Sequence, residues 1–265
     1  MSKRRNKKSK DDTKGYILGG VSLLVLVIIG YLFYQESSNR VEIDELTNCP
    51  VNGSPSRTAI LIDTTDSLSR DQSLYLERRL DEIVKKSETF ARFDIYFLDQ
   101  KIEAISPKLS VCNPGEGDDK SELTSNVRRI KEKWQNEFYT KISSLFSELE
   151  NVPTSDASPI IEGMKYVSID AFVGDQSQNK SLMIISDLLQ HSALLSHYNN
   201  GYTETASTDS SAINSSLPYL KGVNVNIMYI VRPGNRTLQT NKHLVFWENL
   251  IQESGGSVSS IEMVK

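Results

Sequence analysis

The chain has 265 residues, 38% of them hydrophobic, and a formal net charge of −4, enough material for one large or two small domains with a real core. Seven of the 30 basic and two of the 34 acidic residues lie in the first 14 positions, which leaves −9 on the remainder. That acidity argues against nucleic-acid binding by the large part of the chain.

Lys3, Arg4, Arg5, Lys7, Lys8, Lys10 and Lys14 precede an uncharged run, Gly15 to Tyr34. At about 1.5 Å per residue such a run matches a hydrocarbon layer of about 30 Å, so the sequence predicts a transmembrane helix over 15–34. The run is too long for the apolar core of a cleaved signal peptide, and no A-x-A-like site comes after it, so a signal anchor is expected. Glu36, Glu42, Asp44 and Glu45 lie on the far side. Positive-inside bias therefore places the tail, 1–14, in the cytoplasm on anionic lipid headgroups. The linker 35–57 and the domain 58–265 then lie outside, in the periplasm if the cell is bacterial. Cys49 and Cys112, the only cysteines, both fall on that oxidising side and are a candidate disulfide; two separate buried thiols are the alternative.

The apolar run Thr58 to Ile62 reads as a buried parallel strand. Asp63-Thr64-Thr65-Asp66-Ser67 leaves its carboxyl end, the edge at which open α/β sheets bind ligands. Asp63, Thr65 and Ser67 form a DxTxS pattern, one carboxylate and two hydroxyls suited to Mg²⁺ or Mn²⁺; taken alone, the same residues also suit an N-cap or an Asx-turn without metal. Ser69 and Gln72 form a capping box ahead of Leu76, Leu80, Ile83 and Val84, which share a helix face. Phe93 to Leu98 and Ala104 to Val111 read as an edge hairpin. Residues 112–119 are a turn-rich loop without EF-hand spacing, and Trp134, Phe138, Ile142, Leu145 and Leu149 mark an amphipathic helix.

Ser158-Pro159-Ile160-Ile161-Glu162-Gly163-Met164 reads as a loop opening a helix. Ser181 to Ile185 is another apolar strand, ended by Ser186-Asp187. A long segment, 188–218, rich in Ser, Thr, Asn and Tyr, leaves the same edge and is the expected partner-selecting surface. Val223 to Val231 alternates as a strand, Asn241 to Glu253 reads as a helix, and Ser257 to Met263 as a last strand after Gly255-Gly256. Strand and helix by turns predict an α/β fold with a doubly wound, mostly parallel sheet.

The DxTxS loop, the Ser158 loop and Ser186-Asp187 together resemble the von Willebrand factor A domain and its metal-ion-dependent adhesion site. Thr65 and Ser158 each exchange one hydroxyl residue for another, and Leu188 stands where the family has Gly. The resemblance implies a metal held by Asp63, Thr65, Ser67, Ser158 and Asp187, Mg²⁺ or Mn²⁺, with an open position for a protein partner's carboxylate. A non-enzymatic recognition module is thus expected. The alternatives are a metal-free subunit scaffolding a membrane or envelope complex and, less favoured, a metal-dependent phosphohydrolase, for which Thr65 stands where a second Asp would be needed. No P-loop, G-x-S-x-G or H-E-x-x-H motif occurs. Removing Asp63 from an empty site is expected to cost little stability, since it relieves repulsion with Asp187.

Overall fold

Alternation along the strands decides the architecture. In the computed structural model, which describes residues 5–38, 41–100, 105–117, 126–147, 155–198 and 210–265, Ile60 and Ile62 point to one face of a sheet and Ala59 and Leu61 to the other, all essentially buried. Such two-faced burial requires helices on both sides of the strands.

The sheet has six strands, β1 (Ser56–Asp63), β2 (Arg92–Leu98), β3 (Leu109–Cys112), β4 (Asn179–Ser186), β5 (Val223–Ile230) and β6 (Ser257–Val264), in the order β3-β2-β1-β4-β5-β6. All neighbours are parallel except β2 and β3. The order reverses between β1 and β4, and in such sheets the crevice outside the carboxyl ends at that switch point is the ligand site. Asp63 ends β1 and Ser186 ends β4, so topology alone brings the first and third loops side by side.

Helices α2 (Arg70–Lys85), α3 (Val127–Trp134) and α4 (Thr140–Ser147) cover one face; α5 (Ile160–Phe172) and α7 (Asn241–Glu253) cover the other. The capping box at Ser69 and Gln72 forms as expected, Gln72 N donating to Ser69 Oγ at 3.3 Å and Ser69 N to Gln72 Oε1 at 3.1 Å. Between α3 and α4 lies a π turn, Gln135–Tyr139. It shifts the apolar stripe: Trp134, Phe138 and Ile142 are buried as the spacing predicts, but Phe146 takes the next buried place and Leu145 is only partly buried. A π turn adds a residue to the local repeat and so rotates the face that the next turns present. Leu149 lies outside the described residues. Gly163 is where α5 meets β2, since a Cβ there would lie 2.6 Å from Leu98 Cδ1.

Several expected boundaries move. The antiparallel arm begins at Leu109, not Ala104, which itself lies outside the described residues. Within the segment 188–218, expected to be a long loop, α6 (Ser210–Ser216) forms a short helix, and 199–209 lie outside the described residues.

The chain divides into two units, 1–42 and 43–265. The larger takes in the segment before β1, because the Cys49–Cys112 disulfide, with Cα atoms 4.8 Å apart, ties it to the end of β3. Cys112 N also donates to Thr47 O at 2.7 Å. The alternative of two separate thiols is thereby set aside. The smaller unit contains α1 (Arg5–Ser38), a continuous helix of 34 residues. Residues 15–31 of it expose their side chains, whereas those of Leu32 and Phe33 lie outside the described residues. Among the described residues no helix is long and apolar enough to cross a membrane.

Candidate metal centre

Asp63 is the hub of the carboxyl edge. Its Oδ1 accepts from Thr65 N at 3.0 Å and Thr65 Oγ1 at 2.6 Å, while Oδ2 accepts from Ser186 Oγ at 2.6 Å and Ser158 Oγ at 3.3 Å. One carboxylate thus draws hydroxyls from three separate loops. Ser158 is not a helix cap: Pro159 occupies that position at the start of α5, leaving the Ser158 hydroxyl to turn toward Asp63.

The loops are also pinned to one another by backbone. Ser158 N donates to His191 O and His191 N to Ser158 O, both at 2.8 Å, and Ser155 N donates to Thr65 O at 2.7 Å. Gln190, fully buried, accepts from Ile161 N at 2.9 Å and donates to Glu162 Oε2 at 2.8 Å. It thereby satisfies a free amide in the first turn of α5 and fixes the second loop against the third.

Asp187 is 3% exposed. Burial, and then the charge of Asp63, push its carboxyl up to about 6. Its Oδ1 accepts from Leu189 N at 2.9 Å and its Oδ2 from Arg232 Nε at 3.0 Å. Leu188, in the place of the family's Gly, adopts φ 58, the left-handed region that glycine occupies without strain and other residues reach at about 1 kcal/mol or more. Its carbonyl holds it there, accepting from Trp247 Nε1 at 3.0 Å and pairing with His243 Nε2 at 2.9 Å. The tautomer that fits carries its proton on Nε2 and accepts the Tyr229 hydroxyl at Nδ1, 2.6 Å away. Burial lowers His243 to about 4 and the neighbouring His197 to about 3, so both rings are neutral around pH 7. The backbone expected of Gly is therefore kept by a buried aromatic and imidazole wall.

Asp63, Thr65 and Ser158 are in direct contact, and Asp187 lies close enough to sense the charge of Asp63. Ser67 is exposed, and it is tied to the cluster through its carbonyl, which accepts from Arg232 Nη1 at 2.5 Å. Among the described residues no three His, Cys, Asp or Glu side chains gather as a metal-binding group. A cation here would depend on hydroxyl oxygens beside two carboxylates, an all-oxygen set that fits Mg²⁺ or Mn²⁺. Beside the cluster opens a cleft of about 270 Å³, lined by Thr65, Asp66, Asp156, Ser158, His191 and Tyr198 among others. Ser186 and Arg232 are site residues that the motif pattern does not single out. Ser186 is signalled only by its place directly before Asp187, and Arg232 only by its position just past a strand on the same edge.

The reversing strand order, the antiparallel outer strand and the three hydroxyl-bearing loops at one edge coincide with the resemblance carried by the sequence motifs. The fold is von Willebrand factor A-like. No protein-family model matches the chain, and no curated protein matches it significantly. Among solved structures it is similar to an aerotolerance-related membrane protein from Bacteroides fragilis, crystallised with multiple mutations to serines, at 11% identity and TM-score 0.39 over 79% of this chain and 92% of that one. It is similar to BatB, a conserved hypothetical protein from Bacteroides thetaiotaomicron, at 10% identity and TM-score 0.40 over 79% and 90%. The SpRpn10 VWA domain aligns at 11% identity and TM-score 0.42 over 79% and 87%.

Proposed function

We propose that the chain is a non-enzymatic recognition module, anchored in a membrane through its uncharged run 15–34, whose 43–265 unit binds a protein partner through a divalent cation. The observation that carries this reading is the Asp63 carboxylate collecting hydroxyls from the Thr65, Ser158 and Ser186 loops. Asp63, Thr65, Ser67, Ser158 and Asp187 would hold Mg²⁺ or Mn²⁺, which when bound supplies an electrophilic position for an anionic group. The protein's part is to fix the oxygens in advance, through Gln190 and the Ser158–His191 backbone pair, so that little ordering remains to oppose binding. The adjacent cleft would receive the partner's flanking residues.

Hydrolysis is disfavoured by the same geometry. Asp63 has both oxygens engaged, and Thr65 offers no group that titrates near neutral pH to act as acid or base. A specific observation supports the metal-free scaffold as the second reading: Arg232 already sets one positive charge against Asp187.

The test is thermal unfolding of the full chain in chelator and then in millimolar Mg²⁺ or Mn²⁺. A ligand at a hundred times its Kd stabilises by about 2.7 kcal/mol, about 5–10 °C for a domain of this size. Asp63→Asn, which keeps an acceptor but loses the charge, should remove the rise. A wild-type melting curve indifferent to both metals would hand the function to the scaffold reading.

Anchoring is inferred from the uncharged run within α1 and from the charge on its two flanks. The 1–14 tail is then cytoplasmic on anionic headgroups and 43–265 is outside. Protease applied to the outer face of intact cells or spheroplasts should digest the large unit. Its full protection would reverse the topology.

A further inference from the structure

We infer that Arg232 is a built-in cation that competes with a divalent metal for Asp187, so that the site alternates between an arginine-latched and a metal-loaded arrangement. This latch rests on the proposed metal site and adds to it a residue that sets the affinity.

Arg232 lies just past β5, whose Tyr229 pairs in register with Ser186 of β4; it therefore emerges at the carboxyl edge one strand away from Asp187. Gln239 holds the two together. Its Oε1 accepts from Arg232 N at 2.7 Å, and its Nε2 donates to Asp187 O at 3.1 Å and to Ile230 O at 2.8 Å. From that fixed base the guanidinium reaches two of the three loops. Nε donates to Asp187 Oδ2 at 3.0 Å, and Nη1 to Ser67 O at 2.5 Å. One side chain thus does what a cation in the site would do, tying the DxTxS loop to the loop after β4.

The two arrangements oppose each other chiefly on charge. Asp187 Oδ1 accepts from Leu189 N and Oδ2 from Arg232 Nε, so a metal on Oδ2 would share that oxygen's electron density with the guanidinium. Asp63 and Asp187 carry two negative charges; with Arg232 the cluster sums to −1, with a divalent cation alone to zero, and with both to +1. The Asp187 side chain is 4% exposed and that of Arg232 20%, so water does little to screen an excess positive charge there. Metal binding therefore weakens or opens the Nε contact, and the strength of that contact subtracts from metal affinity by linkage.

The experiment is calorimetric titration of Mn²⁺, and separately Mg²⁺, into the full chain as wild type, Arg232→Gln and Arg232→Lys. Couplings of this kind span about 5- to 150-fold, and about tenfold tighter Mn²⁺ binding is expected for Arg232→Gln. Arg232→Lys keeps the charge but cannot span Asp187 and Ser67 at once, so a smaller tightening is expected; it carries the test if the Gln variant does not fold. In chelator, Arg232→Gln should melt below wild type, because Asp187 loses its counter-charge, and Mn²⁺ should raise its melting temperature by more than it raises that of wild type. Equal or weaker binding by both folded variants, with wild type binding normally, would make Arg232 a structural strut and overturn the latch alone. No binding of either metal by any of the three proteins would overturn the metal reading, and the latch with it.

Discussion

Asp63→Ala should lower the stability of the folded domain by about 3 kcal/mol in chelator, close to a 6–12 °C fall in melting temperature. The sequence suggests the opposite, that deleting one of two acidic groups in an empty site relieves repulsion at little cost. The geometry reverses this expectation. Asp63 accepts hydrogen bonds from Thr65 N, Thr65 Oγ1, Ser158 Oγ and Ser186 Oγ, and Thr65 and Ser186 are each 2% exposed. Alanine leaves those donors buried without their acceptor, and the penalty for each such group is about 1–3 kcal/mol. Relief of the charge on Asp187 offsets only part of it. Asp63→Asn retains a carbonyl acceptor and should lose clearly less. Chemical unfolding of both variants in chelator decides the matter; equal midpoints for wild type and Asp63→Ala would show that the hydroxyls are satisfied in some other way.

Loss of the Cys49–Cys112 bridge should destabilise further, by about 4 kcal/mol on the chain-entropy estimate for its separation of 63 residues, or about 8–16 °C. Both cysteines are buried, at 5% and 0% exposure, and Cys112 ends the outermost strand on its side of the sheet. The bridge is what fastens the 43–53 segment, with its Ile43–Pro50 pairing, against that strand. A Cys49→Ser, Cys112→Ser double variant should show the fall without added reductant, and wild type should show it once thiol titration confirms complete reduction. Coincident melting curves for oxidised and reduced wild type would mean that the segment contributes nothing to the cooperative unit.

Leu188 shows where local sequence and global fold pull apart. A residue in place of glycine after Asp187 suggests a changed loop, since a Cβ disfavours positive φ. The loop nevertheless keeps φ 58, because Trp247 and His243 of α7, some 55 to 59 positions later, hold the Leu188 carbonyl. No window around Leu188 contains that information. The π turn at Gln135–Tyr139 is a similar case: apolar residues spaced 4, 4, 3 and 4 predict one regular helix, and the helix takes up an extra residue where it packs on the sheet.

The sequence by itself determined most of the order of strands and helices, the capping box at Ser69 and the two-faced burial of β1, while the grouping of Asp63, Thr65, Ser158 and Asp187 came only from the resemblance of their loops to a known family. The first three are written in periodicity or in residue type next to a strand end, which are local properties. It also determined the cysteines available for pairing. Only the tertiary structure decided that Ser186 completes the shell around Asp63, that Ser67 is tied through its carbonyl, and that Arg232 sits on Asp187. These depend on which strand lies beside which. A side chain after β5 meets the loop after β4 and the loop after β1 only because the sheet order is β1-β4-β5, and that order is fixed by long-range packing of the core on both faces.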